Sequence, residues 1–210
     1  MSPAVRVILE HGPEGRPALF EAPSEVVAAL GPDGVHQALV RLDAARARGA
    51  WVAGWIGYEA AAAFEPRLAH VARGAGPLLV MGIFDAPPRD ALASGLLDDP
   101  GPGTLLTAPE PLVTRAAYGG AIARILAWIA AGDCYQVNLT FPLRARFARP
   151  DATPLSLYAA LRAAGPVGHG ALVELGEGPA IVSLSPELFF RTDAANRIVA
   201  RPMKLSLIHI

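Results

Sequence analysis

Three short stretches of this 210-residue chain carry side chains suited to chemistry. In the first, Gly132 to Thr140, the amides of Gln136 and Asn138 and the hydroxyl of Thr140 recur at every second residue. An extended chain would line them up on one face, a surface suited to an oxygen-rich ligand. The alternative is the solvated face of an antiparallel sheet. In the second stretch, Ser183-Leu184-Ser185-Pro186-Glu187, an apolar run meets a proline, which cannot donate to a central ladder. The strand should therefore bulge or end there and re-aim Glu187. A carboxyl group among Leu184, Leu188, Phe189 and Phe190 would be partly desolvated, which favours its protonated form and suits a general acid. A strand-end glutamate reaching solvent is the alternative. The third stretch is Arg201-Pro202-Met203-Lys204, and Lys204 is the only lysine among the 18 basic residues. An exposed, charged lysine is the ordinary case. Use as a nucleophile needs the neutral amine, at a cost of about 4 kcal/mol that burial or a neighbouring cation such as Arg201 would have to supply.

Composition excludes several other chemistries. A net charge of -1 and the absence of any Lys/Arg run offer no field for nucleic acid. The N-terminus lacks the apolar stretch of a signal peptide, and the most apolar helical run, residues 121–131, is too short to span a bilayer. Cys134 has no second cysteine to pair with, which fits a reducing compartment, and a cytoplasmic location is expected. His11, His36, His70, His169 and His209 show no ligand spacing, so no metal site is assigned to them.

The elements that must position these stretches alternate between strand-like and helical patterns. Residues 5–10 and 18–21 read as a hairpin around the turn-forming residues 11–17. Helical spacing of Val35, Leu39, Val40, Leu42 and Ala45 predicts a helix over residues 34–48, closed by Gly49. Residues 51–58 and 78–84 read as buried strands, and residues 87–103 as a surface excursion. Thr114 caps a second predicted helix with the apolar stripe Tyr118, Ile122, Ile125, Leu126 and Ile129, ending at Gly132. Strict alternation over residues 135–147 predicts one long strand. A shorter helix over 154–164 precedes a predicted meander of residues 171–175, 180–190 and 198–201, with Asn196 in a turn.

Taken in order, GDCYQVNLT, SLSPELFF and RPMK, preceded by WVAGWIGYEAAAAFEP, resemble the chorismate-utilising enzymes, and the resemblance runs from Trp51 to Lys204. After the last Arg-Pro, the anthranilate synthases of that family read P-I-A-G-T, whereas aminodeoxychorismate synthases read P-I-K-G-T or P-M-K-G-T. Pro202-Met203-Lys204 is similar to the latter.

The resemblance implies an α/β (α+β) fold, the N-terminal part of a two-lobed sandwich with mostly antiparallel sheet. Residues 1–104 would form the N-terminal region and 105–204 the start of the chorismate-binding catalytic region. It implies amination of chorismate to 4-amino-4-deoxychorismate in 4-aminobenzoate and folate biosynthesis, with ammonia from a separate glutaminase subunit. Lys204 would be the nucleophile and Glu187 the proton donor to the leaving hydroxyl. Gln136, Asn138, Thr140, Ser185 and Arg201 would bind substrate or line the site. The family's Mg²⁺ would be held by glutamates beyond this chain, with no ligand in it.

The departure from the pattern comes after Lys204. The family continues Gly-Thr, while this chain reads Leu205-Ser206-Leu207-Ile208-His209-Ile210, which matches the translation of a common sequencing adapter. Residues 205–210 are therefore expected to be a non-native tail. The chain alone is expected to be inactive and to leave apolar faces uncovered. The alternatives are anthranilate synthase component I, against which Lys204 stands, and a non-catalytic fragment that only docks a partner.

Overall fold

The computed structural model describes residues 5–70, 76–98, 101, 103–165, 168–193, 195 and 197–201. In chain order the elements are β1 (Arg6–Leu9), β2 (Ala18–Glu21), β3 (Glu25–Ala29), α1 (Pro32–Ala47), β4 (Trp51–Ile56), β5 (Leu79–Phe84), β6 (Arg89–Asp90) and β7 (Glu110–Pro111). There follow α2 (Arg115–Ala131), β8 (Leu143–Arg144), α3 (Pro154–Ala163), β9 (His169–Glu174), β10 (Ile181–Ser185), β11 (Leu188–Thr192) and β12 (Ile198–Arg201). Every pairing between these strands is antiparallel, so the fold is the expected mixed α/β class with antiparallel sheet. No described helix is long and apolar enough to cross a membrane.

The described residues fall into two compact units, one from residues 1–101 and 154–210, the other from 102–153. In the first unit the strand order β10-β9-β1-β2-β6 forms one sheet and β3-β5-β4 another. Alternation along β1 explains how the first sheet is clothed. Val7, with Phe20 and Val173, packs on Ala53, Val80 and Phe84 of the second sheet, while the next residue, Ile8, turns the other way onto Tyr158 of α3. The second sheet buries its far side under Val35, Ala38 and Leu42 of α1. The layers therefore run α1, three-stranded sheet, five-stranded sheet, α3. Burial of these apolar layers supplies the main stabilisation of the unit.

Helix α1 begins at Pro32 rather than at Gly34, as expected from apolar spacing alone; proline suits the first helical position, whose N–H needs no partner. Its end is as predicted, with Gly49 at φ +88°, a left-handed conformation that costs glycine little. Strand β3 was not anticipated, because Glu25–Ala29 is short and follows Pro23-Ser24 directly. Close backbone approach rather than conformation constrains Gly54 of β4: a Cβ there would lie 2.7 Å from Met81 Cα. Gly54→Ala is expected to destabilise the chain by about 1–3 kcal/mol through displacement of β5, read as a lower urea midpoint at unchanged slope.

One polar cluster is built into the outer layer. Glu10, 9% exposed, accepts from the Tyr158 hydroxyl at 3.0 Å and from Arg162 Nε at 2.6 Å, tying the end of β1 to α3. Burial, then the Glu10 carboxylate, pushes the Tyr158 phenol well above its ordinary 10.0. Because the folded value is raised, the stabilisation is full below about pH 10 and is lost as pH climbs toward the folded value. Stability is thus expected to fall by about 1.4 kcal/mol per pH unit above roughly pH 10. Tyr158→Phe should flatten that slope by one proton in denaturant titrations at pH 9.5–11.5.

In the second unit, α2 matches its prediction at both ends. Thr114 Oγ1 accepts from the Ala117 N–H at 3.1 Å, and Gly132 closes the helix at φ +82°. Its stripe is another matter: none of its residues is buried, and Tyr118, Leu126 and Ile129 are exposed. The long strand predicted over 135–147 is corrected. Only Leu143–Arg144 and an isolated bridge at Phe147 pair, where residues 105–112 return alongside with bonds such as Thr107 N to Arg146 O, 2.9 Å. Alternation specifies which way side chains point in an extended chain, but a strand also needs a neighbour to take its N–H and C=O groups. Residues 135–141 belong to no ladder among the described residues.

Candidate functional site

The expected break at Pro186 is present. Strand β10 stays in register to its last pair, Ser185 opposite His169, and ends there because the next residue has no N–H. The predicted strand over 180–190 is accordingly two strands, β10 and β11, which belong to different sheets. At the corner, Ser185 Oγ accepts from the Glu187 N–H at 3.2 Å and donates to the Glu187 carbonyl at 3.0 Å.

Beyond the corner, β11 and β12 form a hairpin whose turn is capped by Asp193. Its carboxylate accepts from the N–H groups of Ala195 at 2.9 Å and Arg197 at 3.1 Å, and from Arg197 Nε at 2.7 Å. The Arg197 N–H and guanidinium hold that carboxyl below the usual carboxylate range. Asp193 was not singled out in the sequence; an aspartate two residues before a turn is a legible signal for such a cap. Asn196, which was, lies outside the described residues.

The hairpin register places Leu188 opposite Arg201. Between that pair and the next, Arg191 with Val199, β11 carries one residue more than β12, a bulge that bends the strand next to Glu187. Glu187 and the backbone of Arg201 thus sit at the same end of one hairpin. Lys204 and the tail 205–210 lie outside the described residues, and Lys204 follows Arg201 by three residues.

Glu187 is exposed, so the desolvation anticipated from its apolar neighbours is not supplied by the described residues: Phe189 and Phe190 pack on each other at 5.1 Å and are themselves exposed. Beside the corner, Leu184, Ser185 and Pro186 line an open cleft of about 290 Å³ with Leu161, Ala164 and Gly165 at the end of α3. Gln136, Asn138 and Thr140 belong to the second unit, where each is exposed on the extended segment after α2. Chain folding also pairs two histidines that spacing kept apart, His11 and His169, with ring centroids 5.0 Å apart. Among the described residues no group of three or more His, Cys, Asp or Glu could hold a metal ion.

The sequence profile described as chorismate binding enzyme matches residues 89–205, more than half of the chain. Aminodeoxychorismate synthase component 1 of Salmonella typhimurium is 34% identical over 106 residues, 50% of this chain and 22% of that protein. Anthranilate synthase component 1 of Thermus thermophilus is 39% identical over 90 residues, 43% of this chain and 18% of that protein. Aminodeoxychorismate synthase of Streptomyces griseus is 40% identical over 76 residues, 36% of this chain and 10% of that protein. The chain spans at most about a fifth of the length of these relatives. No solved structure matches.

Proposed function

The chain belongs to the chorismate binding enzyme family, and from that premise we propose that it serves the replacement of the 4-hydroxyl of chorismate by ammonia, giving 4-amino-4-deoxychorismate for 4-aminobenzoate and folate biosynthesis in the cytoplasm. The observation that supports the reading is the β11–β12 register, in which Leu188, the neighbour of Glu187, pairs with Arg201.

Hydroxide leaves carbon poorly unless it is protonated, and a carboxylic acid beside the bound ring meets that need. In the proposed sequence the neutral Lys204 amine forms a bond to the ring as the C4–O bond breaks. The electron pair goes to oxygen and the Glu187 proton makes it water. Ammonia then bonds to C4 while the lysine–ring bond breaks, and its surplus proton returns to the Glu187 carboxylate. The sum is chorismate and ammonia giving 4-amino-4-deoxychorismate and water. Arginine in place of Lys204 would stay charged and could not take the nucleophile's part. Gln136, Asn138, Thr140, Ser185 and Arg201 are proposed to bind substrate or line the site. A glutaminase subunit is proposed to supply ammonia, and Mg²⁺, held by residues other than those described, to offset a substrate carboxylate.

A second reading, anthranilate synthesis, is favoured by the likeness to the Thermus protein. Product analysis separates the two, because anthranilate forms with loss of pyruvate. The product of the reading frame encoding these residues, given chorismate, ammonium and Mg²⁺, is expected to yield 4-amino-4-deoxychorismate without pyruvate, and its Lys204→Ala variant to yield none. Release of pyruvate with anthranilate would transfer the assignment to the second reading. Undiminished amination by Lys204→Ala would end the nucleophile's role.

A further inference from the structure

We infer that His11 and His169 form a two-imidazole site for a divalent transition-metal ion such as Zn²⁺, set across one end of the β1–β9 pair; the site is independent of the proposed reaction. Strand register brings the two residues together. Strand β1 pairs with β9 as far as Leu9 opposite Ala171, and one step further the Glu10 N–H donates to the Gly170 carbonyl at 2.9 Å. The next residues in step are His11 and His169. Because a backbone bond joins Glu10 to Gly170, their neighbours form the narrow kind of antiparallel pair, in which side chains stand closest.

The ring centroids lie 5.0 Å apart with their planes inclined at 47°. Two imidazoles that share an ion, each nitrogen about 2.0–2.1 Å from it, hold their centroids roughly 4.5–5.5 Å apart at ordinary bond angles. Rings that only pack on each other prefer to lie offset and parallel or edge to face, and 47° is neither. Both rings are also uncommitted. His36 Nε2 is bonded to the Ala63 carbonyl at 2.6 Å and His70 Nδ1 to the Arg67 carbonyl at 3.0 Å, whereas neither His11 nor His169 makes a hydrogen bond among the described residues. His11 is exposed and His169 half-buried, so an ion reaches the pair from solvent.

Imidazole nitrogen suits Zn²⁺, Ni²⁺ and Cu²⁺ and not the hard ions Mg²⁺ and Ca²⁺, which take oxygen. Glu10, adjacent in sequence, points to the opposite face of the sheet, where Tyr158 and Arg162 hold its carboxylate. The other positions of a tetrahedral ion therefore fall to water, which makes the site exchangeable rather than a closed structural one. His169 is also the ladder partner of Ser185, the last residue of β10. An ion on the two imidazoles cross-links β1 to β9 beside that strand end and opposes local opening of the sheet there.

Calorimetric titration of the 210-residue chain with ZnCl₂ tests the inference. One ion per chain is expected to bind, and about 100-fold more weakly in His11→Ala or His169→Ala, because a second donor held in place acts as a high effective concentration. His36→Ala and Cys134→Ser should bind as the parent does. Exchange of the Glu10 amide, which bridges the two strands next to the pair, should slow when Zn²⁺ is added to the parent and not when it is added to His169→Ala. No binding by the parent up to about 1 mM Zn²⁺, or parent-like affinity in either histidine variant, would overturn the inference. So would loss of binding in His36→Ala or Cys134→Ser, or a Glu10 amide indifferent to bound Zn²⁺. If an alanine variant does not fold, His11→Asn or His169→Asn takes its place, and parent-like affinity there overturns the inference equally.

Discussion

Glu187→Gln is expected to lower kcat for chorismate amination by about 10²- to 10⁴-fold, the usual range for removing a positioned general acid. Glutamine has nearly the same shape and leaves the backbone N–H and carbonyl bonded to Ser185 Oγ, so the corner and the β11 register stay as they are. The side chain is exposed, and glutamine keeps its length and an oxygen that can accept hydrogen bonds. A loss of rate at an unchanged unfolding midpoint would therefore report proton transfer rather than folding. The check is steady-state kinetics of the variant from the complete reading frame, with thermal unfolding alongside. A variant within about threefold of the parent would show that the leaving oxygen is protonated by another group. Loss of activity together with a lowered midpoint would place Glu187 in the fold and not in the chemistry.

Local signals were legible wherever one residue decides the outcome. Thr114 and Gly132 bound α2, Gly49 closes α1, and Pro186 stops β10, each through a property of its own backbone or side chain. Pairing was legible only in part, because a partner is not written in the strand that needs one. Residues 135–147 alternate more regularly than β1 does, yet β1 has β2 and β9 on either side while 135–141 pairs with no strand among the described residues. The site followed the same division. That the chain would turn at Ser185-Pro186 follows from proline, but that Arg201 would return opposite Leu188 depends on a bulge and on the Asp193 cap, two features of register that period-two patterning does not reveal. The desolvation anticipated for Glu187 was inferred from apolar neighbours in sequence. Phe189 and Phe190 are instead exposed, since adjacency along a strand says nothing about which faces are covered.

Glu10→Ala is expected to destabilise the chain by about 3 kcal/mol, the lower end of the cost of breaking a buried ion pair. The carboxylate is 9% exposed and serves two donors from α3, so its removal strands a fully buried Tyr158 hydroxyl and a guanidinium that had its charge balanced. Arg162 keeps 31% of its side chain exposed and can turn to water, which is why the upper end is not expected. Tyr158 has no such route: an unpaired buried hydroxyl alone costs about 1–3 kcal/mol. Glu10→Gln should lose less than alanine, since its amide oxygen can still accept from one of the two donors. Urea unfolding of the parent and both variants orders the three. Because α3 covers the face of the five-stranded sheet that ends at Ser185, the loss should also reach the corner, and amide exchange at Leu184 and Ser185 is expected to quicken in Glu10→Ala. Equal stability of all three proteins would mean that Ile8, Leu19 and Leu172 hold α3 on the sheet without the polar clamp.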